Sequence, residues 1–200
     1  MYLSHTEILE KEDLDIVSVC VWPKLHAQMV FDCVSVGVRT IHCEKPMADN
    51  WADARLMVER CRASGIQLTF NHQRRFGLPF AKAKELLKSG EIGRLGRLKV
   101  ADGYHFRVMR KDSSAWKVFD TNGENLHGPN YISRAIANLV DSLENGLVPE
   151  LDVKRVLQAT EIIFASYESS RCYVRIDLPL TIDDNSLVSM IKAGGLMPEV

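Results

Sequence analysis

The chain has 200 residues, which is enough for one ordinary domain or two small ones with a hydrophobic core. A hydrophobic content of 46% and a charged content of 26% are typical of a globular protein. The formal net charge of −1 gives no electrostatic basis for binding nucleic acid or an anionic membrane. No apolar run approaches the roughly 20 residues of a membrane span, so we expect neither partner.

Cysteine and histidine usage argues against disulfides and metal sites. The five cysteines are odd in number and form no C-x-x-C pair, and the six histidines have no metal-ligand spacing. Reduced, buried thiols in a cytoplasmic protein fit this pattern best. The N-terminus has no basic start followed by an apolar segment, so we expect no secretory signal.

Strand and helix alternate through the first 70 residues. Residues 15–21 are almost continuously apolar, as in a parallel strand that is buried on both faces. A helical pattern over 24–36, a strand over 38–43, a helix from Asn50 to about residue 64 and a strand over 66–70 follow. This order predicts a parallel sheet with right-handed crossovers, whose carboxyl ends meet at one edge where ligands bind.

The rest of the chain has a different character. The predicted elements are a helix over 79–89, one alternating strand over 93–108, a polar irregular stretch over 110–129, helices over 131–144 and 153–169, and a last strand over 172–178. The tail after residue 181 is weakly patterned.

The most informative stretch is Cys43-Glu44-Lys45-Pro46, which closes the predicted strand 38–43. A lysine between a carboxylate and a proline is often only a surface salt bridge beside a loop. At the carboxyl end of a buried strand, however, a cation is costly, and such groups cluster at functional sites.

These residues form part of a longer pattern across about eighty positions, in which each motif is weak and the ordered set is strong. The pattern consists of Leu14-Asp-Ile-Val-Ser-Val, Pro23-Lys-Leu-His26, Gly37, Cys43-Glu-Lys-Pro46, Arg74-Arg-Phe76 and Ser89-Gly-Glu-Ile-Gly93. It resembles the glucose–fructose oxidoreductase / inositol 2-dehydrogenase (Gfo/Idh/MocA) family of nicotinamide-dependent dehydrogenases. A looser resemblance resumes over 131–178.

The resemblance implies an α/β fold: the C-terminal half of a Rossmann-like, doubly wound parallel sheet, followed by a reduced α+β sheet domain. It implies a partial NAD(P)-binding domain over 1–75, a remnant of the substrate and oligomerisation domain over 76–180, and a tail over 181–200. No G-x-G-x-x-G fingerprint occurs in the sequence. We therefore expect a chain that lacks the first strands and the glycine-rich turn and is shortened in the second domain.

By the same resemblance, Lys45 is the catalytic residue, which would donate to the substrate oxygen close to the nicotinamide. Burial and an oxidised nicotinamide would both disfavour its charge and ease proton exchange. Glu44 would either contact the cofactor or pair with Lys45. Pro46 would fix the turn beside the cofactor, in a cis or a trans bond.

The remaining candidate residues flank the other two strand ends. Pro23 and His26 would line the cofactor, although proline is also natural at the first position of a helix. Arg75 is the candidate for the cofactor and Arg74 for the substrate: one of them would make a forked contact, and the other would be solvated. Trp22 could cover the nucleotide or simply pack. Asp120 and His127, in the polar stretch, are read as ordinary loop residues.

The implied activity is hydride transfer between NAD or NADP and a sugar, polyol or related hydroxyl compound, in a homo-oligomer formed through the C-terminal sheet. This chain alone is expected to be inactive. The alternative is a non-catalytic remnant that acts as an oligomerisation or regulatory module. The strand over 15–21 would have one unpaired side and could promote self-association.

Overall fold

The computed structural model describes residues 2–93, 95–100, 106–112, 114–120, 124 and 130–195, with only the backbone described for 95–100 and 106. The chain divides into two compact units, residues 1–71 with 148–200 and residues 72–147. Residues 148–200 thus group with the first unit, whereas the sequence-based limits are 1–75, 76–180 and 181–200. The sequence-based limits, as limits of functional domains, stay a prediction.

The first unit alternates helix and strand and ends in two further helices. In chain order its elements are α1 (His5–Lys11), β1 (Ile16–Val19), α2 (Pro23–Ser35), β2 (Thr40–Cys43), α3 (Trp51–Ala63) and β3 (Gln67–Phe70). The second unit contains a 3₁₀ helix (Gln73–Phe76), α4 (Leu78–Ser89), β4 (Leu95–Val100), β5 (Phe106–Arg110), β6 (Lys117–Phe119) and α5 (Tyr131–Glu144). The first unit resumes with α6 (Val153–Cys172) and α7 (Ser186–Lys192). Within the described ranges, no helix is long and apolar enough to cross a membrane.

The first three strands form a parallel sheet in the order β1-β2-β3, as the sequence predicts. Val17 lies beside Ile41, and Ile41 beside Leu68, so side chains at matched positions share a face of the sheet. One face is apolar and forms the main core together with residues of α2 and α3, such as Val30 and Met57. Its members are Val17, Val19, Ile41, Cys43, Leu68 and Phe70.

The opposite face of this sheet is polar. His42 Nδ1 lies 2.9 Å from Thr69 Oγ1, and the Thr69 hydroxyl donates to Ile41 O at 3.3 Å. Thr40 and Thr69 are fully buried, yet Ser18 on the same face of β1 is exposed. The expectation that β1 is buried on both faces is therefore wrong, because β1 is an edge strand and its alternate positions do not face the core.

The second unit differs from its prediction in the sheet. Residues 93–108 do not form one strand: β4 and β5 pair antiparallel, and β5 pairs antiparallel with β6. Strand β6 lies in the stretch predicted to be irregular. The helices α4 and α5 match their predictions, and Gly90 ends α4 in the left-handed conformation with φ 73°. A small core joins Ala83, Leu86, Ile92, Val108 and Phe119.

The predicted strand over 172–178 is wrong. Helix α6 continues to Cys172 and ends at Tyr173, whose φ of 56° lies in the left-handed region. The tail is also more ordered than its pattern indicates. Trp51 Nε1 donates to Leu180 O at 3.1 Å, and Asn185 Nδ2 donates to Asp49 O at 2.8 Å. These two bonds hold the tail against the loop and helix that contain Asp49 and Trp51.

A polar cluster joins the end of α6 to the start of α7. The buried Glu168 carboxylate accepts from Ser186 Oγ at 2.6 Å and from Cys172 Sγ at 3.2 Å. Arg171 contacts Glu168 at 2.5 Å and Asp184 at 2.7 Å. The Ser186 hydroxyl bond is the main reason that the pKa of Glu168 lies below its ordinary value.

We predict that this cluster makes the first unit sensitive to acid. A carboxylate with a lowered pKa in the folded state stabilises the fold above its unfolded pKa, about 4.3 for Glu, and loses that contribution as the pH falls through the folded pKa. Ser186→Ala should therefore cost about 1–2 kcal/mol at pH 7 and less at pH 3. Urea unfolding at both pH values measures this. The exposed Ser133→Ala in α5 is the control; an equal cost at both pH values would contradict the assignment.

Candidate functional site

The carboxyl ends of β1, β2 and β3 lie at one edge of the parallel sheet, and the backbone holds the loops there. Glu44 N donates to Val19 O at 2.9 Å, and Asn71 N donates to Cys43 O at 2.8 Å. Each loop is therefore tied to the end of the neighbouring strand. The first unit thus has the edge geometry that binds ligands in open α/β sheets.

Lys45 lies in the loop after β2, and its bond to Pro46 is cis. Its side chain is exposed, which corrects the expectation of a buried cation. Among the described residues, no carboxylate lies within ion-pairing distance of Lys45 Nζ. The chain by itself therefore leaves the Lys45 ammonium open to solvent at the sheet edge.

Glu44 is held by neighbours other than the Lys45 side chain. Its Oε2 accepts the Lys45 backbone N–H at 3.1 Å, and its Oε1 accepts from Asn71 Nδ2 at 2.6 Å. The pairing of Glu44 with the Lys45 ammonium is thus absent from the part of the chain that the structure describes. Asn71 is a residue that sequence reasoning missed; its position directly after β3 was the available signal.

His26 is completely buried, so its imidazole is not open to a ligand. Its Nε2 lies 3.0 Å from Val21 O, and its Nδ1 lies 3.3 Å from Met47 O. Val21 follows β1 and Met47 follows the Lys45–Pro46 bond, so one ring connects two loops of the edge. Both ring nitrogens face backbone carbonyl oxygens, so a ring N–H donates to at least one of these two loops.

Trp22 and Pro23 begin α2 at the end of β1. Pro23 occupies the first turn, where its missing N–H costs nothing, and Trp22 precedes it as N-cap without a side-chain cap bond. The indole is 81% exposed, so packing inside the chain does not explain it. A large aromatic face is therefore available beside the sheet edge.

His42 lies one residue before the end of β2, on the polar face. Burial lowers its pKa, which favours the neutral ring. The Thr69 hydroxyl uses its hydrogen to donate to Ile41 O. Its oxygen therefore accepts the hydrogen bond from His42 Nδ1–H. His42 therefore cross-links β2 and β3 just before the loops that carry the candidate residues.

The cysteines separate into two groups. Cys33, Cys43 and Cys61 are buried as predicted, whereas Cys20 and Cys172 are exposed, which corrects the prediction for those two. Burial raises the pKa of Cys43 and of Cys61 to about 12, and that of Cys33 to about 11. These three thiols stay protonated near neutral pH and act as small core residues.

The other candidates lie in the second unit. Arg74 and Arg75 belong to the 3₁₀ helix, and their opening on the same edge as Lys45 stays a prediction. Asp120 is exposed, in keeping with an ordinary loop residue, and His127 lies outside the described residues. Across the described ranges, no group of three or more His, Cys, Asp or Glu side chains could hold a metal ion.

The candidate residues of this edge can be compared with what a nicotinamide dinucleotide requires. Lys45, Glu44 and Trp22 supply a cation, an acceptor and an aromatic face. The diphosphate needs a glycine turn between a strand and the N-terminus of a helix. Instead, positive-φ glycines such as Gly37 and Gly65 lie just after helices. The described part of the chain thus has no glycine turn of this kind to hold a diphosphate.

The parallel sheet and its alternating helices define an α/β fold of the Rossmann-like class. Residues 1–72 match the model of the GFO_IDH_MocA family, described as an oxidoreductase family with an NAD-binding Rossmann fold. This match confirms, over the first 72 residues, the resemblance to the Gfo/Idh/MocA family that the motifs indicate.

Two curated relatives are similar to this chain. The chain is 31% identical over 99 residues to the myo-inositol 2-dehydrogenase of Thermotoga maritima, a match that covers 50% of this chain and 29% of that protein. It is 28% identical over 162 residues to the inositol 2-dehydrogenase of Gluconacetobacter diazotrophicus, covering 80% of this chain and 40% of that protein. The chain thus spans well under half the length of these relatives.

Solved structures support the fold. An oxidoreductase from Agrobacterium radiobacter, solved with NAD+, L-tartaric acid and magnesium, superposes with a TM-score of 0.73 at 14% identity, over 87% of this chain and 83% of that chain. The myo-inositol 2-dehydrogenase of Lactobacillus plantarum gives a TM-score of 0.68 at 13% identity, over 88% and 84%. At these identities the likeness concerns the fold alone.

We predict that His26 fixes the edge through its Nε2 bond to Val21. His26→Gln places an amide nitrogen near the Nε2 position and should keep most of the stability. His26→Asn reaches only the Nδ1 position, and His26→Ala should cost about 2–3 kcal/mol through the lost bond and the cavity. Urea unfolding of the three variants measures the order. If Asn preserves stability better than Gln, the Met47 contact is the important one.

Proposed function

We propose that this chain carries the substrate edge of an NAD(P)-dependent oxidoreductase that moves hydride to or from a sugar, polyol or related hydroxyl compound. The observation that carries the proposal is the exposed Lys45 in the loop after β2, the central strand of the parallel sheet. At that position a cation can meet a ligand bound across the strand ends.

The family match and the names of the relatives support the substrate class. The matched residues 1–72 include Lys45, and two relatives are named as inositol 2-dehydrogenases. An inositol is a ring polyol. The choice between NAD and NADP, and the individual substrate, stay open in this proposal.

Lys45 would exchange a proton with the reacting hydroxyl oxygen. The nicotinamide, when bound, supplies the hydride chemistry, and the protein positions the reactants. Glu44, Pro46, Pro23 and Arg75 would border the cofactor and Arg74 the substrate. Because His26 is buried, its part is to hold the loops rather than to contact the cofactor.

The sequence given has no glycine-rich phosphate turn, so this polypeptide alone would hold the cofactor weakly. We further propose a cytoplasmic protein that forms homo-oligomers through the sheet β4–β6. The second candidate function is a non-catalytic oligomerisation or regulatory module. The missing phosphate turn favours that candidate for the isolated chain.

We predict that the purified chain binds NAD(H) or NADP(H) with a dissociation constant weaker than about 1 mM, or about −4 kcal/mol, and oxidises no inositol. Calorimetric titration with each cofactor, and an assay of nicotinamide reduction with myo-inositol, measure this. Sub-millimolar affinity would show that the chain supplies diphosphate donors after all.

A second prediction concerns the role of Lys45. In a version completed by fusion to a strand, glycine-turn and helix segment of a relative, Lys45→Ala should lower turnover by about 10²–10⁴-fold, as expected for loss of a proton-transfer group. Cofactor affinity should change little. Lys154→Ala, an exposed lysine in α6, is the control. Equal losses of turnover and affinity would make Lys45 a binding residue, and an inactive fusion that binds cofactor would favour the non-catalytic module.

A further inference from the structure

The side chain of Asn71 fixes the Glu44 carboxylate toward strand β3. Cys43 ends β2 and lies beside Phe70, which ends β3. The next residues along the chain, Glu44 and Asn71, therefore leave neighbouring strands side by side. Asn71 N donates to Cys43 O at 2.8 Å, and Asn71 Nδ2 donates to Glu44 Oε1 at 2.6 Å. Two bonds from one residue thus join the loop after β3 to the end of β2.

The other carboxylate oxygen of Glu44 lies close to the backbone of Lys45 but is not paired with its ammonium. Glu44 Oε2 accepts the Lys45 backbone N–H at 3.1 Å. Glu44 and Asn71 are half-buried, whereas the Lys45 side chain is exposed. A lysine side chain is flexible and long enough to bring its ammonium to a carboxylate one residue away. The separation of the two charges therefore needs a cause.

We propose that Asn71 is a positioning residue of the candidate site: by holding the Glu44 carboxylate toward β3, it keeps this charge from pairing with the Lys45 ammonium. An adjacent carboxylate favours the charged form of an amine. A lysine that accepts a proton from a hydroxyl must first lose its own, so an ion pair with Glu44 would oppose that step. This consequence for catalysis rests on the proposed function of Lys45, whereas the restraint of Glu44 does not.

A purely structural role of Asn71 is the competing explanation. In that case the bond from Nδ2 only closes the loop after β3, and its loss disturbs Lys45 whether or not residue 44 is charged. In the proposed role, the effect on Lys45 passes through the Glu44 carboxylate and disappears when that charge is removed. The dependence on the charge of residue 44 therefore separates the two explanations.

Competitive acetylation of the full chain at about pH 8 tests the restraint, because only the neutral amine of a lysine reacts. Mass spectrometry of the peptide that contains Lys45 gives the rate. Asn71→Leu keeps the approximate size of the side chain and removes the donor. We expect it to slow the acetylation of Lys45 about two- to fivefold, the range that an exposed ion pair gives. Lys154, exposed in α6, is the internal reference and should react at an unchanged rate.

The same measurement in a Glu44→Gln background is the matched control. Without the carboxylate charge, Asn71→Leu should leave the rate at Lys45 unchanged. Equal slowing in both backgrounds would indicate a disturbed loop and overturns the proposal; so does a rate that Asn71→Leu does not lower in the natural background. Thermal unfolding of each variant checks the fold. Asn71→Ala removes the same donor and provides the same cycle if the leucine variant does not fold.

A pH profile distinguishes a failure of this inference from a failure of the proposed function. In the version completed by fusion to a relative's segment, Asn71→Leu should move the rise of polyol oxidation upward by about 0.3–0.7 pH units, the logarithm of the two- to fivefold change. Slowed acetylation with an unshifted profile would uphold the restraint of Glu44 and refute Lys45 as the proton-exchange group. A shifted profile without slowed acetylation overturns the restraint, because another group would then be responsible for the shift.

Discussion

The parallel hydrogen bonding of β1, β2 and β3 is the constraint on which the first unit depends. Because all three strands run in one direction, their ends deliver Val21, Glu44 and Asn71 to a single edge. The ladder continues into the loops, where Glu44 and Asn71 donate to the preceding neighbours. The candidate site is thus an extension of the sheet, and its residues keep their spacing because the strands keep their register.

The same register divides the sheet into an apolar and a polar face. The apolar face provides the core with α2 and α3, while the polar face bonds internally through His42 and Thr69. A core on only one side leaves β1 weakly enclosed. That is why Ser18 is exposed although the strand is rich in valine and isoleucine.

Local patterns in the sequence were sufficient for the parallel sheet, the helices α2 to α6 and the family. Tertiary contacts decided the features that they missed. The valine-rich run of β1 indicates a strand, but its burial depends on the neighbours of an edge. Residues 172–178 are β-rich, yet α6 continues to Cys172, where Glu168 accepts from Ser186 of α7 and Arg171 pairs with Asp184 just before α7. Asp102-Gly103 was an available hairpin signal inside the alternating run, and the prediction of one strand did not use it.

At the site, the sequence identified Lys45 and its loop but not how the loop is held. From the motif alone, His26 could equally contact a ligand or hold two loops together. Its burial and its two carbonyl neighbours are what distinguish these roles. The same applies to Glu44, whose carboxylate is oriented by Asn71. Both interactions lie within the chain, so the loops around Lys45 are held by the protein's own bonds. Preorganisation of this kind lowers the free-energy cost of ordering on binding only for the side chains that it orients. The bonds of Glu44 and His26 therefore fix the loops on either side of Lys45, while the Lys45 ammonium itself stays exposed.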